Sequence, residues 1–329
     1  LIFSITYCFN INIKMKKIGK SYSFQESFPL LNRFSNHNCK FEEITGGSME
    51  VCHGDYFLIN DSIKDAVDFA QHKHLEGLSI YEIIRVEDGV PIFFEDHFQR
   101  FFTSLKQGNL SFSENEEILQ SQLIRLLKHE NISKGRIKII VNFFSYPDIG
   151  DYNLLLFFTD YSFPTEEQYS RGVKVELFNE VRNNPNIKIL NTDVRKHANE
   201  YMKNKHVYEV LLVNPIGYIT EGSRSNFFLL KDNFVLTPPD DYVLQGIARK
   251  KVIEVCRETT IECEIRNIHR NELADYQASF ITGTSLKILP VNSIGTNNYS
   301  TEHELLGFLR KKYEEKINSY IKNKYSLFH

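Results

Sequence analysis

The fold is decided by the stretch Asn186-Ile187-Lys188-Ile189-Leu190-Asn191 and by Glu221-Gly222-Ser223-Arg224-Ser225-Asn226, which follows it after a helical pattern and two short strands. Lys188 lies between two isoleucines, a setting that favours the neutral, nucleophilic amine near neutral pH. Most lone lysines are instead solvated residues of an edge strand. A chemical role for Lys188 therefore depends on what else the sequence places around it and around Glu221.

Composition and charge describe an ordinary globular protein. The 329 residues suffice for two domains, and 42% hydrophobic and 25% charged residues are typical values. The net charge of −3 argues against nucleic acid or an anionic membrane as a partner, and no apolar run approaches the roughly 18 residues of a membrane helix. Five cysteines without C-x-x-C spacing argue against a disulfide framework or a zinc site and predict a cytoplasmic protein.

The chain divides into four predicted segments. Residues 1–48 lack clear periodicity over most of their length and are predicted to be a poorly ordered extension, with Met49 as the expected start of the protein. Residues 49–160 are predicted to form an N-terminal α+β domain, and the polar segment 161–172 a linker. Residues 173–329 are predicted to form a C-terminal domain that ends in a charged helix. The expected fold class is therefore α/β (α+β), in two domains.

Hydrophobic periodicity and turn signals predict the elements within each domain. In the first domain, a hairpin is predicted over 79–94, and a later helix is predicted to begin at a capping box from Ser113 to Glu116. The remaining predicted elements are strands at 136–144, 153–158, 173–178, 208–213, 218–220, 226–230 and 234–237, helices at 193–204 and 301–325, and a strand over 280–291 interrupted at 282–285.

Three further segments offer groups that could hold an anionic, aromatic cofactor. Leu244-Gln245-Gly246-Ile247-Ala248 opens a helix, whose first N–H groups and positive dipole end suit a phosphate. Gly283-Thr284-Ser285 offers hydroxyl and N–H groups, and Arg100 offers a permanent positive charge. A lysine, an acidic partner for a ring nitrogen and a phosphate cradle are what pyridoxal 5'-phosphate (PLP) requires. Taken separately, each segment has a plainer explanation, because most glycines before helices belong to loops and most arginines are solvated.

A series of motifs, in the same order along the chain, carries a resemblance to a known family. They are Tyr81-Glu82, Glu95-Asp-His97-x-x-Arg100, Lys188-Ile-Leu-Asn191, Tyr208-Glu209, Gly217-Tyr-Ile-Thr-Glu-Gly222, Ser225-Asn226, Thr237-Pro238-Pro239, Leu244-x-Gly-Ile-x-Arg249, Gly283-Thr284 and Pro290-Val291. From about Glu76 to Val291 the sequence resembles the class IV aminotransferases, the PLP fold type IV group. This group includes branched-chain and D-amino-acid aminotransferases and aminodeoxychorismate lyases.

The resemblance implies a role for each matched position. Lys188 would form the Schiff base with PLP and shuttle a proton at the substrate Cα, and Glu221 would contact the pyridine nitrogen. Phosphate contacts are implied for Arg100, Ile247, Ala248 and Thr284, ring packing for Leu244, and further cofactor contacts for Ser225, Asn226 and Gly246. Tyr81 and Ser285 would face the substrate. The resemblance also implies PLP in a cleft between two α/β domains, and a homodimer with the site near the interface.

The sequence departs from the family pattern in ways that bear on substrate. Ala248 stands where the family usually has threonine, so that one phosphate hydroxyl is missing while the backbone N–H remains. Arg224 is expected to point to solvent. The stretch 142–148 holds no Arg-x-His pair of the kind found in D-amino-acid aminotransferases, which counts against D-amino-acid specificity. The characteristic branched-chain segments are also not evident, so the identity of the substrate stays open.

Transfer of an amino group from an amino acid to a 2-oxo acid is the favoured function, because Tyr81-Glu82 resembles the aminotransferase form of that strand. One alternative is an aminodeoxychorismate lyase that eliminates pyruvate during 4-aminobenzoate synthesis. Another is a protein of this fold that has lost catalysis, which only Ala248 supports. No metal site is predicted, because His72 and His74 have no further ligands at useful spacing.

Overall fold

The computed structural model describes residues 15–17, 20–22, 48–72, 74–145, 151–190 and 192–329. The chain divides into two compact units, Leu1–Thr45 and Gly46–His329. In the first unit, Met15–Lys17 and Lys20–Tyr22 form an antiparallel pair of strands. The predicted extension falls mainly on residues outside the described ones, so its poor order stays a prediction. The second unit contains the elements that position the site.

Alternating apolar residues form the strands, and amphipathic stretches form the helices. The strands in chain order are β1 (Met15–Lys17), β2 (Lys20–Tyr22), β3 (Ser48–Met49), β4 (Tyr56–Ile59), β5 (Ser62–Asp65), β6 (His74–Leu75), β7 (Leu78–Glu87), β8 (Val90–Pro91), β9 (Gly135–Phe143), β10 (Asn153–Phe158), β11 (Val173–Phe178), β12 (Glu209–Val213), β13 (Tyr218–Gly222), β14 (Asn226–Lys231), β15 (Phe234–Thr237), β16 (Glu262–Ile265), β17 (Ile268–His269), β18 (Ala278–Gly283), β19 (Lys287–Ile294) and β20 (Asn297–Asn298). The α-helices are α1 (Phe94–Gln107), α2 (Glu116–Glu130), α3 (Glu166–Arg171), α4 (Asp193–Lys205), α5 (Ile247–Glu258) and α6 (Glu304–Phe328). Short 3-10 helices cover Ala66–Gln71, Asp240–Tyr242 and Arg270–Asp275.

The first sheet is antiparallel, with the described strands in the order β5-β4-β10-β9-β7-β8. Its centre is the long pair β7 and β9, in register from Leu78 opposite Phe143 to Val86 opposite Gly135. α1 and α2 pack on one face, because a sheet must bury its apolar side against another element. The other face carries Tyr81 and the side chains around it, so that face belongs to the candidate site.

The second sheet is mixed, with the described strands in the order β16-β15-β14-β18-β19-β11-β12-β13-β17 and β20 beside β19. β11 runs parallel to both of its neighbours, and β15 runs parallel to β16. α5 and α6 cover one face, where the rings of Phe228 and Phe280 stack on adjacent strands with centroids 4.7 Å apart. This packing fixes the start of α5 at the edge of the site.

Residues 159–172 connect the two sheets and contain α3, which begins with a capping box formed by Thr165 and Gln168. The assignment of 161–172 as a domain linker stays a prediction. α6 contacts both cores, since Leu306 is buried against the second sheet and Phe328 against the first. The final helix therefore links the two sheets as well as extending the second.

Most predicted elements are confirmed, and a few are corrected. The predicted capping box at Ser113 is wrong: the cap of α2 is Asn115, whose Oδ1 accepts a hydrogen bond from the Ile118 N–H at 2.9 Å. The Ser113 hydroxyl instead bonds to that of Tyr152. The predicted interrupted strand over 280–291 is a hairpin, β18 and β19, joined by a turn at 284–286.

Two further observations concern features that were expected to be absent. No helix among the described residues has both the length and the apolar character needed to cross a bilayer. Over the same residues, no group of three or more His, Cys, Asp and Glu side chains is placed to hold a metal ion. Part of the stretch 142–148 lies outside the described residues, so the specificity argument drawn from it stays a prediction.

Candidate active site

The Lys188 segment lies along the open edge of β7. β8 pairs with the last two residues of β7, so the earlier residues are free to bind another segment. The Lys188 carbonyl accepts a hydrogen bond from the Tyr81 N–H at 3.1 Å, and the Leu190 N–H donates to the Ser79 carbonyl at 2.9 Å. These bonds fix the lysine opposite Tyr81. Asn191, the last residue of the motif, lies outside the described residues.

The Lys188 amine is placed against an aromatic face. Its Nζ atom lies 4.7 Å from the centroid of the Tyr81 ring. Burial lowers the pKa of Lys188; Tyr81 opposes this shift and Arg100 adds to it. A lower pKa increases the fraction of neutral amine, which is the form able to act as a nucleophile or base.

Tyr81 is surrounded by cations. Burial alone would raise the pKa of this phenol, but Arg195, Lys188 and Lys138 outweigh burial and lower the pKa from 10.0 to about 7. Arg195 Nη1 donates to the Tyr81 hydroxyl at 2.6 Å. Tyr81 therefore changes charge near neutral pH, beside the lysine amine.

Glu221 is buried near the end of β13, with 2% of its surface exposed. Its Oε2 atom accepts a hydrogen bond from the Leu244 N–H at 2.9 Å. Its Oε1 atom lies 3.5 Å from Arg182 Nε and has no hydrogen bond from the part of the chain that is described. Burial raises the pKa of Glu221, and the charge of Arg182 opposes that shift. A buried carboxylate oxygen without a donor fits a protonated ring nitrogen.

Ser225 and Asn226 hold the loop around Glu221 in place. The Ser225 hydroxyl donates to Glu209 at 3.0 Å. Asn226 Nδ2 donates to the Leu244 carbonyl at 2.8 Å, and so positions the residue whose N–H binds Glu221. These side chains are thus occupied within the protein, and their direct contact with a cofactor stays a prediction.

The first turn of α5 is the predicted binding site for a phosphate, and its backbone N–H groups are the donors concerned. Gly246 precedes the helix without a side-chain cap, so the N–H groups of Ile247 and Ala248 have no acceptor within the helix. A Cβ atom at Gly246 would lie 1.9 Å from Asn226 Oδ1, so this close approach requires glycine. Ile247, Ala248 and Thr284 line one small cavity, which brings together three of the four predicted phosphate-binding residues.

Arg100, the fourth of these residues, is held beside the start of α5 by a carboxylate. Its Nε and Nη2 atoms each donate to Glu82 at 2.7 Å, and Nη1 donates to the Gln245 carbonyl at 3.1 Å. Burial raises the pKa of Glu82, but Arg100 and His97 outweigh it and lower the pKa to about 2. Glu82 therefore positions Arg100 next to the start of α5, a role that sequence reasoning did not assign.

The turn at 284–286 is held by two arginines. Arg136 Nη1 donates to the Ser285 hydroxyl at 3.0 Å, and Arg85 Nη1 donates to the Ser285 carbonyl at 3.0 Å. Ser285, a predicted substrate residue, is thus fixed by side chains from the first sheet. Nothing in the local sequence separates these arginines from solvated ones. Arg224 is exposed, as predicted.

The geometry agrees with comparisons with known proteins. A sequence model of the amino-transferases of class IV matches residues 79–294, most of the chain. The chain belongs to the class IV aminotransferase family. This family depends on PLP, and Lys188, Glu221 and the start of α5 offer the groups that PLP needs.

Individual relatives have different activities. The chain is 28% identical over 236 residues to the D-alanine aminotransferase of Bacillus licheniformis, covering 70% of this chain and 83% of that protein. It is 23% identical over 291 residues to the aminodeoxychorismate lyase of Bacillus subtilis (strain 168), covering 84% of this chain and 97% of that protein. Class IV enzymes of both reaction types are therefore among its relatives.

Solved structures establish the fold. A crystal structure of the branched-chain amino acid aminotransferase of Escherichia coli superimposes with a TM-score of 0.71 at 19% identity, covering 80% of this chain and 95% of that chain. At this identity the match shows the fold alone, which is PLP fold type IV. The predicted fold class is confirmed.

Proposed function

We propose that this class IV protein is a PLP-dependent aminotransferase that moves an amino group from an amino acid to a 2-oxo acid. The observation that carries the proposal is the placement of the Lys188 amine 4.7 Å from the Tyr81 ring, with burial lowering the pKa of that amine. Transamination needs one neutral amine that can act as nucleophile and then as base. A cytoplasmic homodimer that takes small amino and oxo acids remains part of the proposal.

Lys188 and Glu221 have separate roles in the proposed reaction. Bound PLP supplies an electron sink that acidifies the Cα–H bond of the attached amino acid. Lys188 Nζ would be the nucleophile toward the cofactor and, as the free amine, the base that moves the proton at the substrate Cα. Glu221 Oε1 would accept a hydrogen bond from the ring nitrogen, and a carboxylate there would keep that nitrogen protonated.

The phosphate and the ring have their own partners. The N–H groups of Ile247 and Ala248 and the hydroxyl of Thr284 would hold the phosphate, because the start of a helix carries positive partial charge. Arg100, held by Glu82, adds a fixed positive charge beside it. Leu244 would pack against the ring, while its N–H donates to Glu221 Oε2 and orients that carboxylate.

The test is the visible absorption spectrum of the purified protein, followed as single amino acids are added. We expect a cofactor band that one class of amino acid bleaches, and that a 2-oxo acid restores. Lys188→Ala should not turn over, whereas Lys174→Ala, which removes an exposed lysine of β11, should behave as the unmodified protein. Absence of a cofactor band with added PLP would contradict the proposal.

Elimination of pyruvate is the second candidate. It is favoured by the similarity to the Bacillus subtilis lyase, which extends over 84% of this chain. Both reactions use the same lysine and the same carboxylate, so the site geometry does not separate them. If no amino acid bleaches the band while aminodeoxychorismate releases pyruvate without an amino acceptor, the protein is the lyase.

A further inference from the structure

The Tyr81 hydroxyl lies among cations that come from several elements. Arg195, in the first turn of α4, donates from Nη1 to the hydroxyl oxygen at 2.6 Å. Lys188 Nζ lies 4.7 Å from the centroid of the ring, and Lys138 Nζ, on β9, lies 5.4 Å from it. These charges favour a negative charge on the phenol oxygen. Two further cations interact electrostatically with this phenol, namely Arg182 and Arg136.

The hydrogen bonding of the hydroxyl also favours its ionised form. The Tyr81 oxygen accepts the bond from Arg195, and no described residue accepts a bond from the hydroxyl. Only 6% of the residue is exposed, so a hydroxyl proton without an acceptor there is unfavourable. The ionised oxygen, in contrast, keeps a charge-assisted bond to the guanidinium. Burial raises the pKa of Tyr81, but its cationic neighbours outweigh burial and lower the pKa to about 7.

Tyr81 is the main charge partner of Arg195. It is the first cause of the raised pKa of this arginine, which burial opposes, and Glu209 and Glu50 contribute less. Glu50 is also paired with Lys138, with Oε2 and Nζ 2.6 Å apart. Arg195 therefore serves to hold the Tyr81 oxygen in place and to stabilise its negative charge.

The other titratable groups beside the lysine are weaker bases. Burial raises the pKa of Glu82, but Arg100 and His97 outweigh burial and hold the pKa at about 2. Burial lowers the pKa of Lys188, and the charge of Arg100 lowers it further. A general base works best when its pKa lies near the operating pH, and the phenol of Tyr81 meets that condition.

An amino acid substrate brings a proton that must be removed. At neutral pH its amine is an ammonium ion, which has no lone pair with which to attack the cofactor. A base beside Lys188 must take that proton before the substrate nitrogen can replace the lysine nitrogen. Tyr81 lies at that position, against the lysine amine.

Resting on the proposed function, we propose that Tyr81 is a catalytic base that takes a proton from the ammonium group of the amino acid substrate, with Arg195 as the residue that positions its oxygen. One N–H bond breaks and one O–H bond forms, and the electron pair of the broken bond stays on the substrate nitrogen. The phenolate becomes a phenol and the ammonium becomes an amine, so the total charge is unchanged. The amino acid formed in the second half of the reaction takes the proton back as it leaves.

The pH dependence of Tyr81→Phe tests this role, because the variant removes the base and keeps the ring. The donor is the amino acid that bleaches the cofactor band fastest in the spectral screen. In the unmodified protein, kcat/KM should level off above about pH 7 and fall below it as Tyr81 is protonated. In Tyr81→Phe it should be about 100-fold lower at about pH 7.5 and come within about 3-fold of the unmodified value at about pH 10, where the donor supplies its own free amine.

Methoxyamine separates this role from a structural one. Its nitrogen is unprotonated at neutral pH, so its attack on the cofactor needs no base. The rate at which methoxyamine removes the cofactor band should therefore change by no more than about 3-fold in Tyr81→Phe. Arg195→Gln should move the acid limb of the kcat/KM profile to higher pH, and Lys196→Gln, an exposed neighbour with the same charge change, should leave it in place.

A tyrosinate absorbance at about pH 8 that Tyr81→Phe removes is expected without any donor, and its absence overturns the assignment. So does a Tyr81→Phe profile that keeps its acid limb near pH 7, or an equal loss of rate with methoxyamine and with the amino acid. If the amino acid bleaches the band equally fast in both proteins, the assignment fails while the aminotransferase proposal stands. If no amino acid bleaches it in the unmodified protein, both fail.

Discussion

The Leu244 N–H donates to Oε2 of Glu221 at 2.9 Å, and this bond leaves Oε1 as the carboxylate oxygen that lacks a hydrogen bond from the described residues. Leu244 is itself held through its carbonyl by Asn226. The chain thus fixes the direction of one buried acceptor, which lies 3.5 Å from Arg182 Nε and accepts no hydrogen bond from the described residues. A preorganised group does not have to rearrange during the reaction. Preorganisation is the usual source of large electrostatic effects in enzymes.

Glu221→Gln should keep the protein folded and loaded with cofactor but slow its turnover. An amide carries no negative charge to hold the ring nitrogen protonated, so we expect a loss of about 100-fold in kcat, typical of removing one preorganised electrostatic contact. The measurement is amino-donor turnover, with cofactor content read from the visible band. Glu200→Gln, an exposed change on α4, is the matched control. Unchanged kcat in Glu221→Gln would disprove the assigned role.

Glu82→Gln should destabilise the protein in a pH-dependent way. The variant leaves Arg100 and His97 without their shared carboxylate, and breaking a buried pair of this kind costs about 3 kcal/mol. The pKa of Glu82 is lowered from 4.5 to about 2, so its stabilising effect is complete above pH 4.5 and disappears as the pH falls through about 2. Urea denaturation at a series of pH values should show the difference between the two proteins shrinking over that interval. A difference independent of pH would contradict the prediction.

Arg195→Gln should raise the pKa of Tyr81 from about 7 toward 10.0, because Arg195 is the strongest of the cations that lower it. The measurement is a titration of tyrosinate absorbance in the ultraviolet, with Tyr81→Phe subtracted to isolate this residue. Burial raises the pKa of Tyr169 to about 12, so that buried tyrosine titrates well above Tyr81. A Tyr81 titration that is the same with and without Arg195 would show that the contact is too weak to matter.

Ala248→Thr should strengthen the retention of PLP. The added hydroxyl supplies the phosphate contact that this chain lacks, and one hydrogen bond contributes about 1 kcal/mol, or roughly a fivefold lower Kd. Ala248→Val is the matched control, because valine fills almost the same volume in this buried position without a hydroxyl. Cofactor loss on dialysis gives the comparison. Equal retention by the two variants would show that packing, not the hydroxyl, governs the effect.

Much of the fold could be read from the sequence because the signals are local. The strand at 173–178 was predicted at its observed bounds, and the helix that begins at Asp193 was predicted from its own periodicity. The predictions are wrong where a contact with a distant part of the chain determines the local structure. Ser113 is a suitable cap, but Tyr152 occupies its hydroxyl and Asn115 caps α2 instead.

In the functional site too, the sequence predicted the residues that belong to motifs and missed those that act through long-range contacts. Motif order predicted Lys188, Glu221 and the start of α5, and the structure places Ile247, Ala248 and Thr284 at one cavity. The roles proposed for these residues stay predictions until tested. Sequence reasoning missed Arg195, because a single arginine in the first turn of a helix has no pattern that separates it from a solvated charge.

The sequence by itself determined the family, the alternation of strands and helices, and the types of residue available for the chemistry, since these depend on composition and short-range spacing. Only the tertiary structure decided how the residues act together. Glu82 lies on β7 and Arg100 on α1, and folding brings the two side chains together. Arg195 reaches Tyr81 from α4. Charges interact through space, over distances that are set by packing and that chain order does not encode.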